Sequence, residues 1–136
     1  MRMGLELILL PVSDIDRAKS FYERVGFHCD VDHDTPQMRI VQFTPPGSGC
    51  SIGFGRGLGG LTESPLIGLH LVVADLAAAV EALRSRGVEV GDPFHYGPSG
   101  PTEGVNPERI DYSSFASLTD PDGNSWVLQE VPSRAE

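Results

Sequence analysis

The chain has 136 residues, with ten Lys and Arg against nineteen Asp and Glu, for a formal net charge of −9. That length suits one domain, residues 1–136, large enough to bury a core without a disulfide or a structural metal. So acidic a chain, with Lys19 its only lysine and no basic run, excludes nucleic acid and anionic membrane as partners, since both require clustered cations.

The first segment, Leu5 to Val12, is an apolar run bounded by turn residues and reads as a buried strand. It is far too short to span a membrane, and no secretory signal precedes it, so the expectation is a cytoplasmic protein. Ser13-Asp14 offers a helix N-cap, Ile15, Ala18, Phe21, Tyr22 and Val25 form one apolar helical face, and Gly26 stops the helix. Strand-like segments follow at Phe27 to Val31, Arg39 to Phe43 and Ser51 to Phe54. His28 and His33 stand among Asp30, Asp32 and Asp34 and read as a solvated strand-to-strand turn. Cys29 and Cys50 lack a C-x-x-C spacing and read as free thiols, with a single disulfide as the alternative. The glycine-rich stretch from Gly53 through Gly60 opens no periodic helix, so it reads as a linker and not as a phosphate cradle.

The same pattern then recurs. Gly68 to Val73 reads as a strand, Asp75 as a cap, Leu76, Ala79, Val80 and Leu83 as a helical face, and Gly87 as its stop. Val12 and Val73, Asp14 and Asp75, and Gly26 and Gly87 are each 61 positions apart. Three landmarks of different chemical role sharing one offset indicate a duplicated module. The two copies span about 4–57 and about 67–132, joined by a linker over about 58–66. Val88 to Val90, Ser114 to Leu118 and Ser125 to Val131 complete the second copy's strands. The turns beginning at Thr44 and Thr119 are 75 positions apart, so the second copy carries 14 extra residues. They fall in the Gly/Pro-rich loop Asp92 to Asp111, which is placed to act as a lid. Tyr96, Ile110, Tyr112 and Phe115 in and beside it argue against disorder.

This arrangement resembles the glyoxalase, bleomycin-resistance and extradiol-dioxygenase superfamily, the vicinal oxygen chelate proteins. Leu10-Pro11-Val12-Ser13-Asp14-Ile15-Asp16-Arg17-Ala18, Phe21-Tyr22, Gly26-Phe27, Val73 to Ala79, Gly87-Val88 and Asp120-Pro121-Asp122-Gly123-Asn124 carry the resemblance, in order along nearly the whole chain. It implies an α+β fold of tandem βαβββ modules, with a curled, mixed, eight-stranded sheet, helices on the outer face and an inner pocket. It also implies pairing as a homodimer.

Many members hold a divalent metal on four slots, one on the first and one on the last strand of each module. Carried onto this chain, the slots fall on Leu7, Gly68, Val127 and Ser51 or its neighbour, three of which have no ligating side chain. A shift of two residues keeps the strand face and gives Leu9, Gly53, His70 and Gln129. His70 and Gln129 are thus the weak metal candidates, and no cofactor is expected.

Two functions remain. In the first, the chain is a metal-free small-molecule-binding protein of the bleomycin-resistance type, with His70, Gln129, Phe54, His95, Tyr96, Tyr112 and Phe115 as candidate ligand contacts. In the second, the same pocket serves a lyase, isomerase or dioxygenase in which His70 acts as acid/base or metal ligand. Trp126, adjacent to Val127 but on the other strand face, is expected to pack against a helix.

Overall fold

The computed structural model describes residues 1–59, 61 and 63–135. The chain divides into two units: Met1–Leu66 with Asp120–Asn124, and Ile67–Thr119 with the residues from Ser125 onward.

The first unit runs β1 (Leu7–Leu9), α1 (Ile15–Val25), β2 (His28–Asp34), β3 (Arg39–Thr44) and β4 (Ser51–Arg56), in the sheet order β1-β4-β3-β2. β1 lies parallel to β4, and the other pairs are antiparallel. The Asp14 side chain accepts from the Arg17 amide, and Gly26 at φ 104° ends α1 in the left-handed region that its missing Cβ allows. Ala18, Phe21, Tyr22 and Val25 are buried, as the helical spacing requires. They pack toward Val41, Phe43, Ile52 and Phe54, which alternate along β3 and β4 onto the same face. The Tyr22 and Phe54 rings stand 5.9 Å apart, and Phe43 and Phe54 stack at 6.0 Å.

The second unit runs β5 (Leu69–Val73), α2 (Leu76–Ser85), β6 (Phe94–Gly97), β7 (Gly100–Glu103), β8 (Ser114–Thr119) and β9 (Ser125–Glu130), in the order β5-β9-β8-β6-β7. Asp75 caps α2 through the Ala78 amide, and Leu76, Val80 and Leu83 are its buried face. Ala116, Leu118, Trp126 and Leu128 supply the sheet side of this core, with Trp126 buried as its position beside Val127 implied.

Two modules of like topology thus build two mixed sheets. The resemblance implies eight strands in one curled sheet; among the described residues nine form, in sheets of four and five. The additional strand is β7, and it lies in the 14-residue insertion, which completes a β-hairpin with β6 and continues as a loop instead of being a long loop throughout. Val88 to Val90 forms no strand. Val88 and Val90 are buried, and the segment is held by single hydrogen bonds, Val88 N–H to the Leu83 carbonyl, Arg84 to the Val90 carbonyl and Gly91 N–H to the Ser117 carbonyl of β8, without a ladder. The His/Asp cluster is likewise not a turn, since residues 28–34 are β2 itself. Gly53 and Gly55 belong to β4 and not to a linker: a Cβ on Gly55 would stand 1.8 Å from the Arg39 carbonyl oxygen. Gly60, from the same run, lies outside the described residues.

Candidate functional site

Each sheet has one face against its helix and one face without it. Partners across paired strands share a face, and so do residues two apart. The helix-free face of the first unit therefore carries Leu7 and Leu9 on β1, Gly53 on β4, Ile40 and Gln42 on β3, and Val31 and His33 on β2. A Cβ on Gly53 would meet Leu9, Leu7 and Ile40 side chains at 3.2 to 3.4 Å, which places all four together. Leu9 and Gly53 are thus neighbours, as the shifted slot pattern requires, but neither side chain can ligate a metal.

On the second unit the same face carries two rows. Val72, Gln129, Phe115 and Phe94 lie in register across β5, β9, β8 and β6, and His70, Val127 and Ser117 form the adjacent row. Tyr96, two residues beyond Phe94, extends the face over the hairpin. His70, Gln129, Phe115 and Tyr96, all named from the sequence, are therefore brought onto one surface. Phe94 joins them there, although the sequence reading did not include it; its signal was the i, i+2 spacing to Tyr96.

His70 is exposed, and its Nδ1 lies 2.7 Å from the Gly68 carbonyl oxygen. A carbonyl can only accept, so Nδ1 carries a proton and Nε2 is the ring nitrogen left to face a ligand. The Gln129 amide has no hydrogen-bond partner among the described residues and offers both a donor and an acceptor. Phe94, Tyr96 and Phe115 make a three-ring cluster with centroids 5.7 to 5.9 Å apart. Tyr96 keeps 63% of its surface exposed.

The remaining candidates lie elsewhere. Phe54 is wholly buried on the helix side of β4, so its ring is part of the first unit's core and not of the helix-free face. His95 has the opposite orientation to Phe94 and Tyr96, and its Nδ1 is 2.7 Å from the Gly104 carbonyl oxygen, so it ties the loop to the hairpin. Tyr112 stands in the left-handed region at φ 66°, and its hydroxyl accepts from Arg134 at 3.1 Å. The loop that carries it is held by Glu130. This buried carboxylate accepts from the Leu76 amide at 2.8 Å and pairs with Arg109 at 3.2 Å. That bond keeps the Arg109 guanidinium above its usual pKa. Arg109 Nη2 also donates to the Ala74 carbonyl oxygen, so the insertion is fastened to the start of α2.

The electrostatic centre of the first unit lies away from its helix-free face. Asp32 accepts from Arg39 at 3.0 and 2.9 Å and from Lys19 at 2.9 Å, and these cations hold its carboxyl well below the usual carboxylate range. Burial raises the nearby Cys29 thiol. Cys29 and Cys50 are both free. Among the described residues no three His, Cys, Asp or Glu side chains converge on a point where a metal ion would sit.

Residues 4–128 match the family model for the Glyoxalase/Bleomycin resistance protein/Dioxygenase superfamily. The chain belongs to that superfamily. Glyoxalase-superfamily relatives of solved structure agree with this. TnmS3, an antibiotic binding protein from Streptomyces sp. CB03234, is 30% identical, with 96% of this chain and 97% of that one covered at a TM-score of 0.72. A glyoxalase/bleomycin resistance protein from the same strain is 31% identical over 93% of this chain and 100% of that one, with a TM-score of 0.68. A superfamily member from Sphaerobacter thermophilus DSM 20745 is 26% identical, covering 95% and 98% at a TM-score of 0.67. A comparison with curated proteins finds no match.

Proposed function

We propose that this glyoxalase-superfamily chain is a small-molecule-binding protein that works without a resident metal. The observation that carries the reading is the make-up of the second unit's helix-free face. One imidazole and one amide stand among Val72, Val127, Phe94, Tyr96 and Phe115, and the other positions of the superfamily's ligand pattern are Leu, Gly, Val and Ser. Two neutral donors, with neither thiolate nor carboxylate beside them, are a poor set for Zn, Fe or Mn, while an apolar wall with a few polar groups is what ligand recognition requires. That TnmS3 is an antibiotic binding protein supports the same class of activity. A charge of −9 favours a neutral or cationic ligand over an anion. Association as a homodimer is part of the proposal and follows the habit of the superfamily.

Elemental analysis of the purified protein, beside its His70→Ala variant, tests this. The expected result is no stoichiometric metal in either protein. A stoichiometric metal lost on substitution overturns the reading and favours the alternative, an enzyme that uses His70. Turnover of a bound compound that His70→Ala abolishes does the same without a metal, because Nε2 is the ring nitrogen left to take a proton.

A further inference from the structure

The 14 residues that distinguish the second module from the first build β7 and the loop after it. β6 pairs with β8 only at Phe94 and His95. Beyond that point Tyr96 is held solely by β7, opposite Pro101. Without the insertion Tyr96 would have no strand to stand on. With it, Tyr96 is set edge-on against Phe94 at 86° and against Phe115 at 66°. A tyrosine ring left so exposed beside two others, and braced by an added strand, is built to receive something.

The spacing decides what it receives. A guest ring sandwiched between two others needs about 7 Å between them, twice a carbon–carbon contact. Here the centroids are 5.7 to 5.9 Å apart, so the three rings already touch and no cation or ring enters among them. The cluster is a wall and not a cage. The exposed face of Tyr96 suits a flat aromatic ring laid against it. The nearest polar group in the row is Gln129, directly opposite Phe115, and its amide can meet either a hydroxyl or a carbonyl at the edge of such a ligand. The acidity of the chain removes anionic candidates.

Resting on the small-molecule reading above, we infer that the inserted hairpin is the selectivity element. The exposed Tyr96 ring, braced edge-on by Phe94 and Phe115, stacks a planar, uncharged or cationic aromatic ligand, and Gln129 hydrogen-bonds an oxygen or nitrogen substituent on its edge.

Fluorescence titration with 1-aminoanthracene, a planar neutral probe with an edge amine, tests the inference, with 1-adamantanol as a globular competitor of similar apolarity. Tyr96→Leu keeps apolar bulk and removes the flat face; Tyr96→Phe restores the face without the hydroxyl. Tyr96→Leu is expected to weaken the probe about fivefold, as for loss of one aromatic contact, with Tyr96→Phe at the wild-type affinity and adamantanol unaffected. Equal probe affinity in wild type and Tyr96→Leu overturns the stacking wall and leaves the small-molecule reading standing. So does binding of adamantanol in preference to the planar probe. Binding of neither compound removes both. If Tyr96→Leu changes the sedimentation coefficient but not the probe affinity, the face is covered by a second copy of the chain, and the inference again falls.

Discussion

Tyr22 carries the one polar tip on the buried face of α1, and its hydroxyl donates to Asp120 at 2.8 Å in a buried setting. The same carboxylate accepts from the Asp122 and Asn124 amides and from the Asn124 side chain. Removing the hydroxyl leaves the acceptor with its other partners, so Tyr22→Phe is expected to cost about 1 kcal/mol in urea unfolding, the net worth of one buried hydrogen bond. Asp32 illustrates the charged counterpart. Its carboxyl ionises more readily in the folded chain than in the unfolded one, because Arg39 and Lys19 face it. The stabilisation is therefore complete above the unfolded value near 3.9 and is lost as pH falls through the lower folded value. Asp32→Asn is expected to lose about 1 kcal/mol at pH 7. Between pH 5 and pH 2 its stability should fall less steeply than that of wild type, which denaturant titration at each pH would show.

At the level of elements, both helices were legible because each has an Asp N-cap, an apolar face at helical spacing and a left-handed glycine after it; Gly87 has φ 80°. Strands were less so. Val88-Glu89-Val90 alternates as a strand does, but so short a stretch makes only one hydrogen bond to β8, from Gly91 N–H to the Ser117 carbonyl, and no ladder forms. The later part of β2, beyond Val31, was hidden for the opposite reason. Its Asp and His residues look like loop, yet they suit an exposed edge strand, where charge discourages pairing with other chains. The glycines of β4 reflect close approach of backbone. Gly55→Ala would drive a Cβ into the Arg39 carbonyl and force β3 from β4. The expected loss is about 3 kcal/mol, at the upper end for overpacking, measured as a lowered midpoint of thermal or urea unfolding.

For the molecule as a whole, charge gives the simplest test. With −9 spread over 136 residues and one lysine, the protein is expected to leave a labelled DNA duplex unbound at physiological salt in fluorescence anisotropy. Salt-sensitive binding would show a local basic surface that composition conceals. The described residues contain no helix long and apolar enough to cross a membrane. Within the first unit, the segment Asp120–Asn124 comes from late in the chain: Asp122 accepts from the Ser13 amide and hydroxyl, and the Asn124 side chain donates to the Pro11 carbonyl oxygen. The aspartates and the asparagine of that motif are thus structural anchors.

The amino-acid sequence by itself determined the duplication, the helices, the superfamily and the location of the added segment. Those features depend on local spacing and on an offset that can be counted along the chain. Only the tertiary structure decided which side of each strand faces the helix. A shift of one residue in register exchanges the two faces, and register is settled by pairing between strands far apart in sequence. That is why Phe54 and His95 fall on the helix side, why Phe94 joins Tyr96 and Phe115, and why the insertion completes a hairpin with a ring-bearing strand.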